Sequence, residues 1–155
     1  MAIKLSKEIK ELFEDKDTLK VLATTDKNGT PHVVFKNSFH INEEGQLVYL
    51  EIIETSETNR NLVSSIWFNR KVAVNVFRND KKSYQIKGKP IKALISGRIF
   101  EKYYKEVRSK FEDLDLSTVW IIEPEEVKEE TFNIRIEKEA KEHPLLIHLD
   151  RLVKS

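Results

Sequence analysis

The chain of 155 residues carries 27 Lys and Arg against 26 Asp and Glu, which gives a formal net charge of +1. That balance argues against a general nucleic-acid binder, since such a protein carries a basic excess. The absence of cysteine excludes disulfides, thiolate zinc sites and a cysteine nucleophile. The N-terminus has no signal-peptide pattern, and no segment approaches the ~20 apolar residues that span a bilayer. We therefore expect one cytoplasmic domain over residues 1–155, without a nucleic-acid or membrane partner.

Apolar periodicity and turn residues predict the first half of the chain as a helix followed by three strands. The helix lies behind Ser6, with Leu5, Ile9, Leu12 and Phe13 at helical spacing. The strands are "LKVLATT", "PHVVFKNSFHI" with period-two alternation, and "QLVYLEII". Between them lie "DKNGT", a hairpin turn in which Asn28 and Gly29 take positive φ, and the turn "NEEG".

The second half predicts a helix near residues 57–68, a hairpin, another helix and a further strand. The hairpin joins "KVAVNVFR" to "SYQIKGKPIKALI" through Asn79-Asp80, and Gly88 and Pro90 indicate an edge or a bulge. A helix over residues 98–112 follows Ser96, and "STVWIIEP" is the sixth strand. "TFNIRIEK" reads as a seventh strand, and "PLLIHLDRLV" as a closing helix or arm.

These elements predict a mainly β, α+β fold, in which five or six antiparallel strands form a small barrel with flanking helices. Short hairpin loops favour antiparallel pairing, and closure of a barrel removes sheet edges that would otherwise aggregate. The barrel covers about residues 18–128, and residues 129–155 form a C-terminal extension.

The side chains predict no self-sufficient active site. His32 and His40 share a strand face but are separated by about 26 Å at ~3.3 Å per residue, so they cannot hold one ion. His143 and His148 have poor spacing for a helical metal pair, and we expect no metal site. Neither a P-loop nor a dinucleotide-binding fingerprint is present. If the protein is an enzyme, a cofactor supplies the reactivity.

The order and spacing of five segments resemble the pyridoxamine 5'-phosphate oxidase-like family of FMN-binding split barrels, and the likeness is to its small FMN-binding and flavin reductase-like members. The segments are "VLATTDKNGTPHVV", "GQLVYLEIIETSETNRNL", "RKVAVNVF", "SYQIKGKPIK" and "VWIIEPEEV". The resemblance implies a six-stranded antiparallel split barrel, a homodimer, and FMN in the groove between the two subunits.

The resemblance also implies which residues contact FMN. The flavin would run along residues 34–38, with Lys36, Asn37 and Ser38, and near Ile52. Its phosphate would meet the turn and helix that contain Ser56, Glu57, Thr58, Arg60 and Asn61. The second subunit would add Ser83 and Gln85, and Trp120 could pack on the flavin ring or on the partner chain. Each of these three residues could instead have a purely structural role. Ser83 and Gln85 could be outward-facing strand residues, and Trp120 could belong to the core or to an interface.

The phosphate turn departs from the family's Ser-Arg-Lys-like motif, because Glu57 and Thr58 replace the basic pair. A carboxylate repels a phosphate, by about 4 kcal/mol at ~4 Å near a protein surface. Backbone N–H groups, the hydroxyls of Ser56 and Thr58, and the charges of Arg60 and Lys36 could compensate. Alternatively, Ser56 is only a helix cap.

Three functions are compatible with these patterns. The first is an FMN-dependent oxidoreductase acting on a small molecule, and the second is a flavin carrier without a dedicated substrate. The third is a split barrel that has lost FMN and holds another ligand, such as haem or a deazaflavin, or serves only as a dimeric binding module.

Overall fold

A computed structural model describes residues 2–144 of the chain. Four helices occur in it: α1 (Lys7–Glu14), α2 (Glu57–Trp67), α3 (Arg98–Lys110) and α4 (Phe132–Glu142). Seven strands alternate with them: β1 (Leu19–Thr25), β2 (Pro31–Phe35), β3 (His40–Ile41), β4 (Leu47–Glu51), β5 (Val72–Phe77), β6 (Ser83–Leu94) and β7 (Thr118–Glu129). No helix among the described residues is both long and apolar enough to cross a membrane.

The strands form one curled antiparallel sheet in the order β2-β1-β5-β6-β7-β4-β3. The predicted antiparallel split barrel is therefore confirmed, with seven strands instead of six. The extra strand arises because the predicted strand over residues 31–41 breaks in the middle. Its first part, β2, pairs with β1, and its second part, β3, pairs with β4 at the opposite edge of the sheet.

Two apolar clusters hold the fold together, one on each face of the curled sheet. On the inner face, Leu12 and Phe13 of α1 and Leu62 of α2 pack with buried strand residues such as Val74 and Ile86. The opposite face carries a smaller cluster, in which α3 covers β4 and β7 through Val107, Val48, Leu116, Val119 and Ile121. The second cluster fixes α3 beside β3 and β4, where it forms one wall of a groove.

The predicted seventh strand is wrong, because "TFNIRIEK" begins α4. The β6–β7 ladder ends where Glu130 donates to the Ser83 carbonyl (2.8 Å) and the Thr131 hydroxyl accepts from the Ser83 N–H (3.1 Å). Beyond that point no strand among the described residues offers hydrogen-bond partners for the backbone. In a helix, by contrast, the backbone N–H and C=O groups bond to each other within the segment. Glu, Lys, Arg and Ala over the rest of this segment are good helix formers. The alternating Phe132, Ile134 and Ile136 that suggested a strand remain exposed.

Three smaller expectations also change. In the first hairpin turn, Gly29 has positive φ (82°) but Asn28 does not. The cap of α3 is Gly97, not Ser96. Gly88 and Pro90 mark register shifts against β7, so the predicted bulge is present, but β6 is a central strand and not an edge. The closing segment "PLLIHLDRLV" lies outside the described residues, apart from its first residue.

Candidate functional site

The segment 36–38, which was predicted to contact a flavin, crosses the split of the barrel. The Lys36 N–H donates to the Lys20 carbonyl (2.8 Å) and so continues the pairing of β2 with β1. Two residues later, the Ser38 hydroxyl donates to the Leu50 carbonyl (3.1 Å) and accepts from the Leu50 N–H (3.2 Å). Asn37 lies exposed between these two attachments. The predicted flavin segment therefore bridges the two edges of the sheet.

Glu51, one of the three acidic residues near the predicted phosphate turn, lies in the protein interior. Its side chain is 1% exposed, accepts from the Tyr49 hydroxyl, and accepts from the Ile53 N–H (3.0 Å). Burial and the hydrogen bond to this carboxylate raise the pKa of Tyr49, so the phenol remains a donor. The Lys36 ammonium lies 3.9 Å from the Glu51 carboxylate and 5.3 Å from the centre of the Tyr49 ring. The positive charge of Lys36 is therefore already paired.

The N-terminus of α2 forms the predicted phosphate turn. Ser56 is its N-cap, and its hydroxyl accepts from the Asn59 N–H (3.0 Å). The Ser56 carbonyl accepts from the Arg60 N–H (3.1 Å). The N–H groups of Glu57 and Thr58 belong to the first turn and have no partner inside the helix. Ser56 is thus a helix cap, which is the alternative that the sequence offered to phosphate binding. The Glu57 and Thr58 N–H groups beside it remain available as donors.

The charged side chains of this turn face different neighbours. The Arg60 guanidinium donates to the Thr55 carbonyl (3.0 Å), which holds it against the turn while it stays exposed. The Glu57 carboxylate lies 3.3 Å from the Nδ1 of His32 on β2 and is 47% exposed. Glu57 therefore has its own partner, and its charge is partly solvated.

Two further predicted residues, Thr58 and Asn61, are buried and attach α2 to the sheet. The amide of Asn61 donates to the Thr24 hydroxyl of β1 (3.0 Å). The Thr58 side chain is 1% exposed, so only its backbone N–H is placed to serve a ligand at the helix end.

Asn59, which the sequence did not single out, connects the turn to the core. Its amide donates to the Glu54 carbonyl (2.9 Å) and its oxygen accepts from the indole N–H of Trp120 (2.8 Å). Trp120 is 1% exposed and belongs to the inner apolar cluster. The position of Trp120 behind the turn makes it a support for the helix end. In the sequence, the one feature that could have predicted this role for Asn59 is its position as a polar residue three places after the Ser56 cap.

The remaining predicted residues lie in two other places. Ser83 and Gln85 are on the same face of β6, as alternation predicted, and the Asn75 amide donates to the Ser83 hydroxyl (3.2 Å). Ser83 lines a cavity of about 430 Å³ between β5 and α4, with Phe77 and Phe132. Ile52 is half-buried and lies with Asn37 and Ser38 along a larger groove.

This groove, about 1290 Å³ in volume, separates α3 from β3 and β4. A histidine–tyrosine pair spans it: the Tyr103 hydroxyl lies 2.7 Å from the Nε2 of His40, whose Nδ1 lies 3.4 Å from the Ser38 carbonyl. With the Nδ1 proton directed at that carbonyl, Nε2 accepts from the phenol. Burial lowers the pKa of His40 and raises the pKa of Tyr103. The pair is therefore neutral near pH 7.

The histidines occupy separate environments, with His32 against α2 and His40 against α3. Among residues 2–144, the one group with mutual spacing suited to a metal ion is Glu139, Glu142 and His143, at the exposed end of α4. Exposed acidic groups at a helix end are common without a metal.

Comparisons with known proteins give matches among solved structures. No family model matches the chain, and no curated protein matches it. HupZ from Group A Streptococcus superposes with a TM-score of 0.66 at 19% identity, covering 83% of this chain and 95% of HupZ. A candidate pyridoxamine 5'-phosphate oxidase from Lactobacillus delbrueckii superposes with a TM-score of 0.62 at 26% identity, covering 81% and 93%.

Two further structures carry names that refer to a ligand. An FMN-binding protein from Syntrophomonas wolfei gives a TM-score of 0.63 at 13% identity, covering 79% of this chain and 84% of its own. HutZ, a haem storage protein from Vibrio cholerae, gives 0.55 at 22% identity, covering 82% and 95%. All four share one architecture, so this chain has the pyridoxamine 5'-phosphate oxidase-like split-barrel fold. The resemblance that the sequence predicted is confirmed for the fold.

Proposed function

We propose that this protein binds FMN and acts as a flavin-dependent oxidoreductase on a small molecule. The observation that carries the proposal is the free N-terminus of α2 at the end of β4, in a fold shared with an FMN-binding protein. A helix N-terminus with unpaired N–H groups favours a phosphate. Bound FMN would supply hydride and electron transfer, and the chain would supply binding, orientation and the choice of substrate.

The residues at this turn fit a phosphate. The Glu57 and Thr58 N–H groups have no partner inside the helix, and Thr55, which precedes the cap, is exposed. Arg60 is the nearest cation in the turn without a carboxylate partner among the described residues, since Lys36 is paired with Glu51. Glu57 is partly solvated and lies against His32, and solvent screening would reduce its repulsion of an anion at this turn.

The flavin ring would lie along residues 36–38 and Ile52, and a second copy of the chain would complete the site with Ser83 and Gln85. We propose a homodimer for this reason and because the outer face of the sheet is apolar and exposed at β1 and β2. Val33 and Phe35 of β2 are 62% and 68% exposed, and Leu19 of β1 is 51% exposed. An exposed apolar patch of this kind is typical of an interaction surface.

Haem is the second candidate ligand, because HutZ has the same fold and is named for haem storage. Glu57 favours this alternative over FMN, since a carboxylate at the turn weakens phosphate binding.

Titration of the purified protein with FMN and, separately, with haemin tests the proposal. We expect FMN to bind with one flavin per chain, with quenching of its fluorescence and a shifted visible spectrum. Binding of haemin with no FMN binding would replace the first function by the second. Turnover of NAD(P)H by the FMN-loaded protein with an electron acceptor would then separate an oxidoreductase from a flavin carrier.

A further inference from the structure

Lys20 occupies a position where a charged side chain is unusual. It alternates along β1 with the buried Leu22 and Thr24, and it is only 6% exposed. Within residues 2–144, no carboxylate lies within 4 Å of its ammonium group and no hydrogen bond reaches it. Burial lowers the pKa of Lys20, against a smaller opposing effect of Asp15. A buried ammonium without a partner is costly, unless a ligand supplies the opposite charge.

Lys20 lines the groove between α3 and the strands. The lining of this groove includes the apolar side chains of Val48, Leu50 and Ile121, and the His40–Tyr103 pair adds neutral polar groups. The other charged residues of the lining are exposed, and they comprise four lysines and four glutamates: Lys16, Lys92, Lys102, Lys110, Glu14, Glu43, Glu44 and Glu106. The groove therefore combines one buried cation with a long apolar surface.

We propose that this groove binds an organic carboxylate with an apolar body, whose carboxylate pairs with Lys20. One ammonium matches one negative charge, and the part of the chain that lines the groove has no arginine that would favour a phosphate. The apolar body would pack against Val48, Leu50 and Ile121. This site is defined without the flavin. Asn37, Ser38 and Ile52 line the same groove. That a bound flavin would lie beside the carboxylate ligand rests on the proposed function.

Calorimetry with octanoate on FMN-free protein tests the site, and octan-1-ol serves as the uncharged match. We expect the wild type to bind one octanoate per chain and to prefer it to octan-1-ol. Lys20→Met should weaken octanoate about ten- to a hundred-fold and leave octan-1-ol unchanged, since one charge-assisted bond is lost. Lys16→Met, at an exposed lining position, is the matched control and should bind octanoate like the wild type.

A structural role for Lys20 gives a different result. If Lys20 serves to bind a ligand and does not stabilise the ligand-free protein, Lys20→Met should melt at the same temperature as the wild type or higher, because an unpaired buried charge is removed. A lower melting temperature together with unchanged octanoate binding would overturn the proposal, as would failure of the wild type to bind octanoate.

If Lys20→Met does not fold, the ring resonances of His40 and Tyr103 in the wild type replace it as the readout. They should shift with octanoate, and unchanged resonances would overturn the site. FMN binding is measured separately, so loss of this site would leave the proposed flavin function standing.

Discussion

The acidic residues 51, 54 and 57 look alike in the sequence but differ in their surroundings. Glu51 is buried and held by Tyr49 and Ile53, whereas Glu57 is half-exposed and held by His32. Glu54 is exposed, and its carbonyl accepts from Asn59. Their repulsion of a phosphate therefore depends on burial and on partners such as Lys36 for Glu51 and His32 for Glu57, which lie far along the chain. Residue identity alone could not have predicted this difference.

At the same scale, His40 should make the stability of the protein depend on pH. Burial lowers the pKa of His40 in the folded state below its ordinary value near 6.5. Between those two pKa values the unfolded chain binds more protons, so the free energy of unfolding should fall as the pH drops through 6.5 towards the folded pKa. Urea unfolding at pH 7.5 and pH 5.5 checks this. His40→Gln should lose part of the difference between the two pH values, and the exposed His143→Gln should keep it. Equal pH dependence in all three proteins would contradict the assignment.

At the scale of elements, the sequence predicted most helices and strands because alternation and capping act locally. It could not predict the break at residues 36–39, since that break depends on β2 and β3 pairing with opposite edges of the sheet. It mistook α4 for a strand because Phe132, Ile134 and Ile136 alternate, although no neighbouring strand receives them. The flavin residues 36–38 and the turn at α2 came from the family resemblance. The groove with Lys20, His40 and Tyr103 could not be predicted from any local sequence pattern, because these residues belong to three elements that are distant along the chain.

The bulged centre of β6 gives a test of the sheet packing. A Cβ added at Gly88 would lie 2.3 Å from the carbonyl oxygen of Glu123 on β7, so the two strands would have to separate. We expect Gly88→Ala to lower the free energy of unfolding by about 1–3 kcal/mol or more, as overpacking does. Lys87→Ala, at the exposed neighbouring position, should change it by less than about 0.5 kcal/mol. Denaturant unfolding of both variants measures this. Similar stability of the two variants would show that β6 and β7 are not packed this closely.

At the scale of the whole molecule, the fold leaves the outer face of the sheet exposed at β1 and β2, while α3 covers the same face at β4 and β7. Phe35 lies opposite Val21, and Val33 opposite Ala23, in the pairing of β2 with β1. Because alternate residues of a strand share a face, these side chains form one apolar surface. This surface and the Ser83–Gln85 face of β6 are the places where a second copy would add to the proposed flavin site.

Sedimentation of point variants tests that assembly. The wild type should sediment with twice the chain mass of 18.2 kDa. Phe35→Lys places a charge in the apolar surface and should shift the protein towards monomer, with weaker FMN binding. Ile95→Lys, at another exposed apolar residue before α3, should remain a dimer. A wild-type monomer that binds FMN stoichiometrically would rule out a site shared between subunits.

The most direct test of the FMN site compares FMN with riboflavin, because only FMN carries the phosphate. Calorimetry of both ligands against the wild type, Arg60→Ala and Glu57→Lys isolates the turn at α2, and Arg108→Ala on α3 is the control. We expect Arg60→Ala to weaken FMN by about 1.5–3 kcal/mol, roughly ten- to a hundred-fold, and to leave riboflavin nearly unchanged. Glu57→Lys should tighten FMN. Equal losses for the two ligands, or no change in either variant, would show that residues 55–60 cap a helix and do not bind the phosphate.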